Sequence, residues 1–180
     1  KARGIRQANH TPNPSRGDLH WSLSQSIPPV LNISPGDTVD FTSLEAEWPI
    51  VRPDPPSSSR GIFMERSFPA DQGHALCGPV YIQGARPQMT LAIRINQIIP
   101  GTWGWSRVGG GDPDHLCRMG FEGDEYFLIW DIDPKKGICR SHMGHCVPLS
   151  PFMGVMAVAP DSDDYVKTPV PGPYGANMDC

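Results

Sequence analysis

The side chains best suited to acid–base or metal chemistry in this sequence are two histidines and a carboxylate that lie beside turns. His20 lies shortly before a Pro-Pro turn, and His74 opens a string that ends in a Gly-Pro turn. Asp179 and Asn177 follow a Pro-Gly-Pro-Tyr-Gly turn, a rigid way to deliver a carboxylate and an amide to a fixed place. Imidazole and carboxylate groups bind divalent metals and transfer protons. Residue type alone leaves a purely structural role open for each histidine.

A thiol is the alternative reactive group. Cys77 lies three residues after His74, which raises the possibility of a cysteine nucleophile activated by an imidazole. Adjacency in sequence does not guarantee the geometry that such a pair needs. The chain has no Gly-x-Ser-x-Gly elbow, and its run of three serines at 57–59 lies in a Pro-rich stretch without a nearby lysine.

A second group of potential metal ligands lies within eight residues near the end of the chain: Cys139, His142, His145 and Cys146. These residue types could close a tetrahedral zinc site. Side chains alternate along a strand, however, so 139 and 142 would point to opposite faces. We therefore favour ordinary turn residues here, with structural zinc as the alternative.

Short stretches of alternating apolar and polar residues, separated by Pro and Gly, must position these groups. They cover residues 30–33, 38–41, 81–83, 90–98, 126–133, 137–140 and 155–158. The 21 prolines and 19 glycines suit tight turns between short strands, and no window of a dozen residues carries a helical stripe free of both. The pattern predicts an all-β fold, a β-sandwich or distorted barrel, with long Pro/Gly-rich loops at 49–60 and 101–114.

Composition limits the partners. The formal charge is −4 and the 15 Lys and Arg are scattered, so we expect no nucleic acid partner. The apolar runs are too short to cross a bilayer, and the first residues lack a signal-peptide pattern, so we expect no membrane partner and a cytoplasmic location. Five cysteines, an odd number, indicate free thiols in a reducing compartment.

Several strings, in order, resemble the acetamidase/formamidase family. They are His20-Trp21, Pro28-Pro29-Val30-Leu31 with Pro35-Gly36-Asp37-Thr38-Val39, His74-Ala75-Leu76-Cys77-Gly78-Pro79-Val80-Tyr81, Gly84-Ala85-Arg86-Pro87, the segment from Pro151 to Pro160, and Pro171-Gly172-Pro173-Tyr174-Gly175-Ala176-Asn177-Met178-Asp179. Three positions depart from the family pattern: Ala176 replaces a glycine, and Gln88-Met89 replaces Gly-Asp. Family members also continue into a C-terminal segment with an Asp-Gly-His motif. We therefore expect one acetamidase/formamidase-like domain over residues 1–180 that lacks this segment.

The resemblance implies hydrolysis of a small linear carboxamide, such as formamide or acetamide, to a carboxylate and ammonia. We expect a water activated by a divalent metal, zinc first and calcium or magnesium as alternatives. His20, His74 and Asp179 are then metal ligands or the general base and acid, and Asn177 helps to bind the oxyanion.

The same resemblance suggests the pocket and the assembly. Trp21, Cys77, Trp103 and Phe152 would line a pocket for the small-molecule amide substrate, with Cys77 replacing the threonine that is usual in the family. We expect a homo-oligomer, in which a second copy could complete the site. The alternative function is a truncated or diverged relative that binds a small carbonyl ligand or catalyses another reaction, such as cyclisation or isomerisation.

Overall fold

The computed structural model describes residues 6–7, 19–48, 51–54, 73–108, 117–121, 126–168 and 172–177. These ranges consist mainly of short strands and turns, and the all-β prediction is confirmed. No helix in them is long and apolar enough to cross a bilayer. The strands are β1 (Arg6–Gln7), β2 (Leu19–His20), β3 (Ser22–Leu23), β4 (Leu31–Ile33), β5 (Val39–Asp40), β6 (Leu76–Cys77), β7 (Val80–Ile82), β8 (Trp103–Val108), β9 (Tyr126–Asp133), β10 (Ile138–Ser141), β11 (Cys146–Pro148), β12 (Val155–Ala157), β13 (Val166–Lys167) and β14 (Gly175–Asn177).

The chain divides into two compact units. The first unit comprises Lys1–Ile50, Gly61–Arg94 and Met153–Cys180, and the second unit comprises Val51–Arg60 and Ile95–Phe152. The expectation of a single domain over residues 1–180 stays a prediction.

The second unit contains a four-stranded antiparallel sheet in the order β11-β10-β9-β8. Its longest strand, β9, alternates as predicted and buries Phe127 and Ile129. The ring of Trp105 on β8 packs against Phe127 with centroids 5.3 Å apart. The sequence predicted a loop over 101–114, which is wrong for β8. Strand β8 forms despite the glycine at 104, because six of its residues pair with residues of β9 and Trp105 packs against Phe127.

Paired short strands form the first unit. Antiparallel pairs join β2 to β6, β3 to β13 and β12 to β14, and parallel pairs join β4 to β7 and β1 to β5. Its core contains Leu19, Trp48 and Ala75. Two aromatic rings dominate this cluster, since Trp21 packs on Trp48 with ring centroids 6.1 Å apart.

Two expectations about the first part of the chain have different outcomes. The predicted turn between β4 and β5 is present, with Gly36 at φ 86° and the Asp37 carboxylate accepting a hydrogen bond from the Ser34 backbone N–H at 2.8 Å. The strands that flank it pair with other strands, however, and not with each other. The predicted strand over 90–98 is wrong: no described strand pairs with it, and its apolar Leu91 and Ile93 are exposed. Alternation alone does not form a strand without a neighbour to supply the ladder of hydrogen bonds.

Candidate functional site

His20 and His74 lie on neighbouring segments of the first unit. Strands β2 and β6 pair antiparallel, with Leu19 opposite Cys77 and His20 opposite Leu76. Paired residues share one face of a ladder and successive residues alternate between faces. Leu19 and Cys77 belong to the core face, so His20 lies on the other face. His74 lies two residues before Leu76, just outside strand β6 and next to Ala75 of the core cluster.

Next to the β2–β6 ladder, the backbone at Gly73 passes very close to the backbone at Trp21. A Cβ on Gly73 would collide with the carbonyl oxygen of Trp21 and lie 2.8 Å from Oγ1 of Thr168. Gly73 also has φ 140°, a conformation that side-chain-bearing residues rarely adopt. Its carbonyl accepts a hydrogen bond from the indole N–H of Trp48 at 3.3 Å. Glycine is therefore required where the chain enters the His74 string.

The imidazole of His20 is held by a backbone oxygen two residues further along the chain. Its Nδ1 lies 2.8 Å from the backbone oxygen of Ser22. Because a carbonyl oxygen can only accept, Nδ1 carries the hydrogen of this bond. Burial lowers the pKa of His20 below its ordinary value, and the hydrogen bond to Ser22 offsets part of this effect. The neutral ring therefore presents an unprotonated Nε2, which faces Gly78: a Cβ at residue 78 would lie 3.9 Å from that atom.

The imidazole of His74 is held by a different part of the chain. Both its backbone N–H and its Nδ1 contact Oγ1 of Thr168, at 3.0 and 2.9 Å. Thr168 is fully buried and follows strand β13. Burial lowers the pKa of His74, and the negative charge of Glu47 opposes that shift. A neutral imidazole can accept a proton near neutral pH, as a general base does, and its protonated ring nitrogen can donate a hydrogen bond to developing negative charge.

The structure does not gather the other predicted site residues of the first unit around the imidazoles. Trp21 and Cys77 pack against the core cluster, and the sulphur of Cys77 lies 3.6 Å from the backbone oxygen of Thr42. The register places Cys77 on the face opposite to His20, so the geometry does not favour a thiol nucleophile paired with His74. A role of Trp21 and Cys77 in a substrate pocket stays a prediction.

The remaining predicted residues belong to the second unit, to strand β14 or to the part of the chain outside the described ranges. Trp103 begins β8 in the second unit, where it is half-buried, and Phe152 is exposed. The backbone of Asn177 ends β14 and pairs with Val155 of β12. Asp179 lies outside the described residues.

The described part of the chain does not supply a complete set of metal ligands. It holds no group of three or more His, Cys, Asp or Glu side chains placed to bind one ion. His20 does fit a ligand role, because its Nδ1–H is anchored by a carbonyl and its Nε2 is unprotonated, the arrangement typical of metal-bound histidines. One imidazole is not a site, and Asp179, the expected carboxylate ligand, lies outside the described ranges.

The cluster at 139–146 forms a hairpin of the second unit. Arg140 lies opposite Cys146, so Cys139 and Cys146 belong to opposite faces of the β10–β11 ladder. The Nδ1 of His142 accepts a hydrogen bond from the Ile129 backbone N–H at 3.1 Å. In the same turn, the Nδ1 of His145 lies 2.9 Å from Oγ of buried Ser141. These contacts stabilise the turn, in agreement with the interpretation of His142 and His145 as ordinary turn residues.

Sequence reasoning missed three residues at the site: Thr168, Glu47 and Trp48. Trp48 is nearly fully buried at φ 74°, an unusual backbone conformation for a bulky side chain. Thr168 reaches His74 from 94 residues away. A threonine before a proline and a glutamate in a short turn carry no signal of such contacts, so sequence alone could not have found them.

Two solved structures share this fold. The first is a recombinant predicted acetamidase/formamidase from the thermophile Thermoanaerobacter tengcongensis, with a TM-score of 0.70 and 20% identity over 89% of this chain. The second is an acetamidase from Yersinia enterocolitica, with a TM-score of 0.64 and 19% identity over 99% of this chain. The fold implied by the resemblance in sequence is therefore confirmed.

This chain spans about half the length of both structures, matching 49% of the first and 53% of the second. No protein-family model matches the sequence, and no curated protein does.

Proposed function

We propose that this protein hydrolyses the C–N bond of a small linear carboxamide, of the formamide or acetamide type, to a carboxylate and ammonia. The observation that carries the proposal is that His20 lies on strand β2 and His74 lies just before its partner strand β6, with each ring fixed through Nδ1. The likeness of fold to an acetamidase and a predicted acetamidase/formamidase supports this reaction class.

Amide hydrolysis needs a base for the attacking water and an acid for the leaving amine. In the proposed reaction, His20 Nε2 takes a proton from water as the water oxygen bonds to the carbonyl carbon. A tetrahedral intermediate forms, and its oxyanion needs hydrogen-bond donors, a role that we assign to turn N–H groups and Asn177. Proton transfer to the nitrogen of the intermediate then breaks the C–N bond and releases ammonia.

A divalent metal, zinc first and calcium or magnesium as alternatives, stays part of the proposal. When bound, such an ion would lower the pKa of water and polarise the carbonyl group. If such an ion is bound, His20 could supply one ligand through Nε2 in place of its role as general base, and Asp179 is the residue expected to supply another. We likewise propose a homo-oligomer, cytoplasmic and without nucleic acid or membrane partners.

Ammonia release tests the reaction class. Purified protein is incubated with formamide, acetamide, propionamide and benzamide, without added metal and with zinc, calcium or magnesium, and bound metal is quantified. The expected result is turnover of the short amides and little turnover of benzamide. An absence of ammonia under every condition, from protein whose folding is verified by circular dichroism, would contradict the proposal and favour the binding of a small carbonyl ligand.

A further inference from the structure

Thr168 is the one fully buried residue of the described chain whose hydroxyl touches a predicted site histidine. Strand β13 brings it there: Lys167 lies opposite Ser22, so the next residue reaches the level of Trp21. The missing side chain of Gly73 leaves the space that this hydroxyl occupies, since a Cβ there would be 2.8 Å from Oγ1. The contact is thus built by three separate segments of the first unit.

The hydrogen bonds of this hydroxyl can be assigned completely. The backbone N–H of His74 donates to Oγ1, which uses one lone pair and leaves the hydroxyl hydrogen to be placed. A hydroxyl in a fully buried residue needs an acceptor for that hydrogen. Within the described ranges, the only other polar atom in contact with Oγ1 is Nδ1 of His74, at 2.9 Å. The hydroxyl therefore donates to Nδ1, and a neutral His74 carries its hydrogen on Nε2.

The opposite assignment holds for His20. Its Nδ1 contacts the backbone oxygen of Ser22 at 2.8 Å, and an oxygen of this kind cannot donate. The hydrogen of neutral His20 is therefore on Nδ1, and Nε2 has a free lone pair. Two histidines, one on strand β2 and one just before its partner strand β6, are held in opposite tautomers by two different oxygen atoms.

We infer that Thr168 is a positioning residue that keeps Nε2 of His74 protonated, so that the site presents one proton acceptor, His20, and one hydrogen-bond donor, His74. The division of roles rests on the proposed amide hydrolysis; the tautomers rest on the contacts alone. During the reaction His20 Nε2 gains the proton of the attacking water and becomes an imidazolium. This imidazolium gives the proton to the leaving nitrogen as the C–N bond breaks, so His20 returns to its neutral form. His74 keeps its proton and donates a hydrogen bond from Nε2–H to the oxyanion of the tetrahedral intermediate. In this assignment His74 is not a metal ligand through Nε2 as long as Thr168 donates to Nδ1.

Nitrogen-15 NMR of the histidine rings tests the tautomers without any need for activity. Spectra are recorded at pH 8, where both rings are neutral, and the two residues are assigned by their loss in His20→Asn and His74→Asn. We expect a protonated Nδ1 in His20 and a protonated Nε2 in His74. In Thr168→Val the Nδ1 signal of His74 should shift as its hydrogen bond is lost, and Thr168→Ser should restore it. A protonated Nδ1 in His74 of the wild-type protein would overturn the inference.

Kinetics of the same variants test the role. Thr168→Val should lower kcat for amide hydrolysis by about 10–100-fold, the usual cost of losing a group that orients a catalytic imidazole, with a small change in KM. Thr168→Ser should keep kcat within about threefold of the wild type, and Thr90→Val, at an exposed threonine of the same unit, is the matched control. Equal kcat in Thr168→Val and the wild type would overturn the positioning role. If the wild type releases no ammonia but the ring tautomers are opposite, the proposed reaction fails and the assignment of the hydrogens stands.

Discussion

His20 and His74 in the first unit resemble His142 and His145 in the second unit, because all four rings use Nδ1 for a hydrogen bond. Their surroundings differ. The first two are partly buried, and their partners include a carbonyl and a hydroxyl that are fixed by strand pairing. The other two are exposed on a hairpin, bonded to groups of their own sheet and turn. A histidine thus gains a chemical role from the segments packed around it, and four similar rings divide into a candidate site and a turn.

The largest structural effect is expected where the chain passes Trp21. Gly73→Ala places a methyl group against the Trp21 carbonyl and the Thr168 hydroxyl at a φ that alanine rarely adopts. It should lower the free energy of unfolding by about 2 kcal/mol or more. Gly154→Ala is the matched control, because its Cβ would meet nothing within 4 Å and the φ of Gly154 lies outside the positive range that favours glycine. Urea unfolding of both variants measures the difference; equal stability would show that the close approach is not required.

A pH dependence should accompany the burial of the two site histidines. Burial lowers the pKa of both His20 and His74 below 6.5. As pH falls through 6.5 the unfolded chain therefore binds protons before the folded chain does, and the free energy of unfolding decreases. Above that pH these groups leave the stability unchanged. Thermal unfolding between pH 5 and pH 8 should show that the stability of the wild type falls as pH is lowered. In His20→Asn this slope of stability against pH should be smaller. An undiminished slope in that variant would remove His20 from the explanation.

The second unit offers a smaller test. Buried Ser141 accepts a hydrogen bond from the His145 backbone N–H at 3.0 Å, and its Oγ also contacts that ring. Ser141→Ala should lower the free energy of unfolding by about 1–2 kcal/mol, because the turn loses its partner oxygen. Amide hydrolysis should not change. Ser150→Ala, at an exposed position, is the control, and a loss of turnover in Ser141→Ala would move the chemistry toward this hairpin.

The smallest effect is expected at the two cysteines of that hairpin. They lie on opposite faces of the β10–β11 ladder, so the double variant Cys139→Ser, Cys146→Ser should change the free energy of unfolding by no more than about 0.5 kcal/mol. A chelator should leave the melting temperature of the wild type unchanged if these cysteines bind no metal. A decrease of several degrees with chelator that disappears in the double variant would restore the zinc alternative.

The elements that sequence predicted best are those in which a local pattern and long-range pairing agree. Strand β9 was predicted at its observed bounds because its alternation coincides with two strand neighbours. Residues 90–98 have the same alternation without a described partner strand, and the prediction failed. The candidate site shows the same limit: His20 and His74 were found by their motifs, whereas Thr168 depends on a contact over 94 residues that no local pattern encodes.

The most direct test of the proposal is a matched pair of substitutions, His20→Asn and His142→Asn. Asparagine keeps an amide atom near the place of Nδ1, and so the anchoring hydrogen bond, but has no counterpart of Nε2. We expect His20→Asn to lower kcat/KM for ammonia release from formamide or acetamide by about 100-fold or more, the contribution of a general base. His142→Asn should stay within about twofold of the wild type. Wild-type turnover in His20→Asn, or an equal loss in both variants, would contradict the assignment of the chemistry to the first unit.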